Sequence, residues 1–104
     1  MWVHGDVAQT NLLVKNGRLS GVIDFGCVAV GDPSCDLVIA WTFFDPATRR
    51  EFRSALALDQ STWARARGWA IWKALITLAQ LRDTNPVEAE KQCQIIIEIL
   101  GDRF

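Results

Sequence analysis

Residues 4–41 read HGDVAQTNLLVKNGRLSGVIDFGCVAVGDPSCDLVIAW, and this stretch decides the fold. Asn16-Gly17 lies between two runs rich in apolar residues, 11–15 and 18–24. Both turn residues tolerate the positive φ that a two-residue hairpin demands, so the spacing predicts an antiparallel ribbon. That ribbon brings Asn11, at the start of one strand, close to Asp24, at the end of the other. Two strands are marginal alone and must pack on helices.

The rest of the chain supplies those helices. Asp32-Pro33 and Asp45-Pro46 each read as an N-cap followed by proline in the first helical turn. The first opens a helix with Leu37, Val38, Ala40, Trp41 and Phe44 on its apolar face. The second opens a helix running through Arg49, Phe52, Leu56 and Leu58. Asp59 or Ser61 caps a third, long helix over residues 60–83. Asn85-Pro86 starts a last one, with Cys93, Ile96, Ile97 and Leu100 at helical spacing and Gly101 at its end. The fold class expected is mainly α with a small antiparallel β-hairpin, as one domain over 1–104. Residues 1–32 form loops and ribbon, and 33–104 the helical part. Residues 69–81 are apolar on more than one face, as in a central helix buried on several sides or a helix in a subunit interface.

Composition narrows the function. Half of the 104 residues are hydrophobic and five are tryptophan, so the chain has material for a core. A net charge of −1 gives no electrostatic case for nucleic acid. Arg49, Arg50, Arg53, Arg65 and Arg67 alternate with acids and apolar residues, and read as a solvated helix face. Three cysteines without a CxxC spacing argue against disulfides or structural zinc and suit a reducing cytoplasm. Cys27 reads as a small buried thiol. No segment resembles a signal peptide, and 69–81 is broken by Lys73, Thr77 and Gln80, too short and polar for a bilayer. A soluble, cytoplasmic protein is expected.

The chemistry lies in the order of three short motifs. Asp6 follows His4-Gly5, Asn11 comes five residues later, Asp24 precedes Phe25-Gly26, and Gly31-Asp32-Pro33 leads to Asp36. An acid to orient a hydroxyl, then an amide and an acid to hold magnesium, is what phosphoryl transfer requires. In this order and spacing the chain resembles the C-terminal part of the aminoglycoside phosphotransferase family, which shares the protein-kinase-like fold. The resemblance implies that Asp6 is the catalytic acid that takes or orients the acceptor proton. It implies that Asn11 and Asp24 ligate Mg²⁺, with ATP as co-substrate and a hydroxylated small molecule, such as an aminoglycoside antibiotic, as acceptor. His4 and Asp36 are implied to brace the catalytic loop, Asp36 by accepting hydrogen bonds from its backbone. Asp32 reads only as a helix cap.

The chain also departs from that family. It has no Gly-rich loop before a strand and helix, and its three lysines, Lys15, Lys73 and Lys91, all follow Asp6, whereas the family's nucleotide lysine precedes the catalytic acid. The segment between Asp6 and Asn11 is Val7-Ala8-Gln9-Thr10, which keeps the family's spacing but not its residues. The isolated chain is therefore expected to be inactive or nearly so. A second reading is a non-catalytic homo-oligomer or binding module from a truncated kinase gene. A third, a metal-dependent hydrolase, has little support because only one histidine is present. Glu88, Glu90, Glu98 and Asp102 are candidate contacts for a polycationic acceptor.

Overall fold

A computed structural model describes residues 1–102. The architecture is mainly α with two small antiparallel ribbons. Strand β1 (Trp2–Val3) pairs with β4 (Ala29–Val30), and β2 (Leu12–Lys15) pairs with β3 (Arg18–Val22). Asn16 (φ 53°) and Gly17 (φ 75°) both take left-handed backbone, as the tight turn requires. The register slips between Leu13 and Val14, which leaves Ser20 as an extra residue on β3; its hydroxyl donates to the Leu13 carbonyl.

Four α-helices follow: α1 (Ile39–Thr42), α2 (Pro46–Leu56), α3 (Gln60–Leu81) and α4 (Pro86–Gly101). Asp45, Asp59 and Asn85 cap the last three through their side-chain oxygens. α2 stops two residues before Leu58. Ala57 turns into left-handed backbone (φ 48°), and Asp59 at once begins the next helix.

The first helix differs from the sequence expectation. Asp32 does cap Ser34, but Pro33–Leu37 is a 3-10 turn and regular α-helix begins only at Ile39. Residues 37–41 are all buried, one after another. The regular helix thus begins inside the buried run, whereas within the 3-10 turn only Ser34 and Leu37 are buried. Asp45-Pro46 then forbids its extension.

The core joins this segment to α3 and α4. Leu37, Val38, Ala40 and Trp41 meet Trp63, Ala66, Ala70 and Ala74 of α3 and Ile95 and Ile99 of α4. Three alanines of α3 at a spacing of four, Ala66, Ala70 and Ala74, are fully or almost fully buried in this core. Truncating the fully buried Ile99 to Ala would cost about 2–5 kcal/mol of stability.

Three expectations need correction. The arginines are not a solvated face. Arg49 is 3% exposed and donates to the carbonyls of Ala40 (2.7 Å) and Phe44 (3.3 Å) and to Glu98 (2.9 Å). Arg53 stacks over the rings of Trp41 and Trp63, at 6.0 and 5.1 Å from their centroids. Arg67 donates to the carbonyls of Ile99 and Leu100 at the end of α4, where a helix favours a cation. Only Arg50 and Arg65 are mainly in solvent, and Arg65 is tied to Asp32 at 2.7 Å, so Asp32 is an anchor as well as a cap. Second, α3 is not buried on several sides, since Trp69, Trp72 and Leu75 stay 41–55% exposed along its outer face. Third, Cys27 is exposed, because it sits in the open loop before β4. No helix among the described residues is long and apolar enough to cross a membrane.

Candidate active site

The site grows from the end of β1. Gly5 takes φ +88°, and a Cβ added there would lie 2.4 Å from the Cys27 carbonyl oxygen, so only glycine fits this crossing. The amides of His4 and Gly5 donate to the two oxygens of Asp36, at 2.9 and 2.8 Å. One carboxylate thus closes a fork on two successive backbone N–H groups, with charge-assisted bonds on both arms. Cys35 lies against the same carboxylate; burial first, then the Asp36 charge, push its thiol above the ordinary range and leave it a poor nucleophile.

His4 spans two loops. Its Nδ1 accepts from the Asp6 amide at 3.1 Å, and its Nε2 lies 2.9 Å from the Ile23 carbonyl. An amide can only donate and a carbonyl can only accept, so the hydrogen-bond network assigns the proton to Nε2. Phe25 packs edge-on against the imidazole, with ring centroids 4.7 Å apart.

Asp6 and Asn11 form the centre. Asn11 is buried in a 3-10 turn (Gln9–Asn11), and its amide nitrogen donates to the Asp6 carbonyl (2.8 Å) and to Asp6 Oδ2 (3.2 Å). Those bonds turn the amide nitrogen of Asn11 toward Asp6. The Asn11 carbonyl in turn receives the Ile23 amide at 2.9 Å, which seats the residue before Asp24 beside it. Asp24 is exposed, with φ +60° and its carboxylate turned to the Gly26 amide (3.4 Å). A left-handed aspartate is uncommon and costs energy that the surrounding loop must offset. Among the described residues no group of three or more His, Cys, Asp and Glu gathers as a metal cluster; the oxygen donors on these loops come from Asn11, Asp24 and Asp6.

One contact lies beyond the motifs. Lys73, from the middle of α3, brings its ammonium to 3.6 Å from Asp6 Oδ1. The two oxygens of Asp6 are therefore divided, one toward Asn11 and one toward Lys73. The signal in the sequence was a lysine breaking, together with Thr77 and Gln80, the apolar run 69–81. Of the four acids considered for a polycationic acceptor, Glu98 and Asp102 are already engaged. Glu98 pairs with Arg49, and Asp102 takes the Trp41 indole N–H at 2.8 Å and lies near Arg49 and Arg53.

The sequence profile of the phosphotransferase enzyme family matches residues 1–69. The chain belongs to that family. The matched span contains His4, Asp6, Asn11, Asp24 and Asp36 and ends before Lys73. A relative within the curated proteins, the uncharacterized protein YcbJ of Bacillus subtilis (strain 168), is 31% identical over 90 residues. That alignment covers 86% of this phosphotransferase-family chain and 27% of YcbJ, so the chain spans about a quarter of the length of the relative it matches. No solved structure matches it.

Proposed function

We propose that this chain carries the acceptor-activating and metal-holding loops of an ATP-dependent small-molecule kinase, within one domain of loops and ribbon (1–32) and helices (33–104). The observation that supports this best is the continuous hydrogen-bonded path from Asp6 through Asn11 to Ile23. It ties an acid, a buried amide and the residue next to a second acid on neighbouring loops.

In this reading Asp6 receives or orients the proton of the acceptor hydroxyl. The hydroxyl oxygen forms the new bond to the γ-phosphorus, and the bond from that phosphorus to the β–γ bridging oxygen breaks. ADP leaves with the electron pair, and the proton passes through Asp6 to solvent. Asn11 Oδ1 and the Asp24 carboxylate are hard oxygen donors that fit Mg²⁺, with phosphate and water completing the shell. When bound, the ion screens the phosphates and the charge that builds between them. Asp36 and His4 hold the Asp6 loop in place. The chain contains no Gly-rich nucleotide loop and no lysine before Asp6, so we infer that the groups covering ATP from the far side come from outside these 104 residues.

Calorimetric titration of Mg·ATP into the chain, with Asp24→Asn as control, tests the reading. Weak binding abolished by the substitution supports it; binding of equal strength in both proteins overturns it.

The exposed face of α3 favours a second, non-catalytic reading, in which Trp69, Trp72 and Leu75 hold a second copy of the chain. Sedimentation of a strict monomer at high concentration would count against it.

A further inference from the structure

Beside the Asp6 loop lies a cleft of about 200 Å³, bounded by residues 8–10, the end of α1, α3 and α4. Lys73 and Lys91, two of the chain's three lysines, line it together with Thr10, Thr42, Thr77 and Gln92, and no carboxylate does. Lys73 is shared between this cleft and a second one that contains Asp6. Lys91 is exposed and enters no ion pair among the described residues. The hydroxyls of Thr42 and Thr77, two of the lining residues, donate to the carbonyls of Val38 and Lys73. The lining thus supplies two lysines and no carboxylate to an anionic group, with threonine and glutamine side chains of hydrogen-bonding chemistry suited to hydroxyls.

We propose that this cleft is the acceptor site and that the acceptor is a small polyhydroxylated compound bearing a phosphate or carboxylate, rather than a polycation. The proposal rests on the reading of Asp6 as the residue that meets the acceptor hydroxyl. Lys73 links the two places: its ammonium lies 3.6 Å from Asp6 Oδ1, and the same residue lines the cleft. A polycationic aminoglycoside would meet two like charges here, and two of the acids once available to it are held by arginines and Trp41. An anion instead gains charge-assisted hydrogen bonds from both lysines.

The test titrates the 104-residue chain with glucose 6-phosphate, gluconate, glucose and kanamycin at one ionic strength, followed by Trp fluorescence and calorimetry. At least one anionic probe is expected to bind tenfold or more tightly than glucose, and kanamycin not to saturate. Lys91→Gln, at an exposed position that leaves the core untouched, and Lys73→Gln are each expected to weaken anion binding about tenfold, the worth of one charge-assisted bond. Saturation by glucose 6-phosphate alone identifies a phosphate, and by gluconate alone a carboxylate. Tighter binding of kanamycin, failure of both anionic probes, or anion binding indifferent to both substitutions overturns the proposal. The Mg·ATP titration with Asp24→Asn is read separately. Its failure with the lysine-dependent anion site intact would remove the kinase reading and leave an anion-binding cleft, whereas its success without anion binding would remove only the acceptor class.

Discussion

The side-chain amide of Asn11 donates twice to Asp6, once to its backbone oxygen and once to its carboxylate. Asn11 therefore positions the acid as well as offering an oxygen of its own. Replacing it with Ala removes both bonds at a buried position, and a loss of about 1–3 kcal/mol is expected from the unpaired Asp6 carbonyl and the small cavity. Urea unfolding measures this. Under the proposed function Asn11→Ala also loses Mg·ATP binding, and Asn11→Asp, which sets a second carboxylate against Asp6, destabilises without restoring the two donated bonds.

Asp36 closes a fork on the amides of His4 and Gly5. Asp36→Ala is expected to release both, so that hydrogen exchange at these two amides accelerates at least tenfold while amides in α3 keep their protection. Asp36→Asn retains one acceptor oxygen and is expected to fall between. Equal exchange in all three proteins would show that the loop is held by other contacts.

Arg49 is nearly enclosed and gathers the ends of three helices through Ala40, Phe44 and Glu98. Arg49→Ala is expected to cost about 3 kcal/mol, since charge-assisted bonds are lost and two carbonyls are left without their donor. Arg49→Lys is expected to recover little of this, because an ammonium cannot reproduce the planar fork. Thermal unfolding of the two variants side by side decides it; a loss within experimental error for Arg49→Ala would mean that water replaces the guanidinium freely.

Acid sensitivity follows from the helix caps. The Arg65 guanidinium and the Ser34 amide hold Asp32 below its ordinary 3.8, while Thr48 does the same for Asp45 and Thr62 for Asp59. Each carboxylate is thus more acidic folded than unfolded. Its stabilisation is complete above 3.8 and is lost as the pH falls through the lower folded values. Urea midpoints are expected to hold steady, as far as these groups are concerned, down to about pH 4 and to drop below it. Asp59→Asn keeps a capping oxygen and is expected to shrink the acid drop with little change at neutral pH.

What the sequence made legible was local chemistry. Asn16-Gly17, Asp45-Pro46, Asp59 and Asn85-Pro86 act on their own neighbours, and each turn or helix start lies where those residues stand. The Asn16-Gly17 hairpin likewise anticipated the meeting of Asn11 with Ile23, the residue before Asp24. Contacts between distant elements were hidden. Nothing near Arg49 in sequence announces that Glu98 will face it, so an arginine among acids read as solvated. The apolar excess of α3 did not reveal which side would be left open, and nothing in Asp32-Pro33 distinguished a 3-10 turn from an α-helical start. Lys73 meets Asp6 across most of the chain, and only its place within the apolar run 69–81 hinted at a purpose.

The imidazole of His4 has both nitrogens engaged, one by the Asp6 amide and one by the Ile23 carbonyl. The ring therefore bridges the two loops, with one nitrogen on each. A rearrangement at the Asp24 loop must carry the Asp6 loop with it or break one of these bonds. Whatever settles one loop settles the timing of the other.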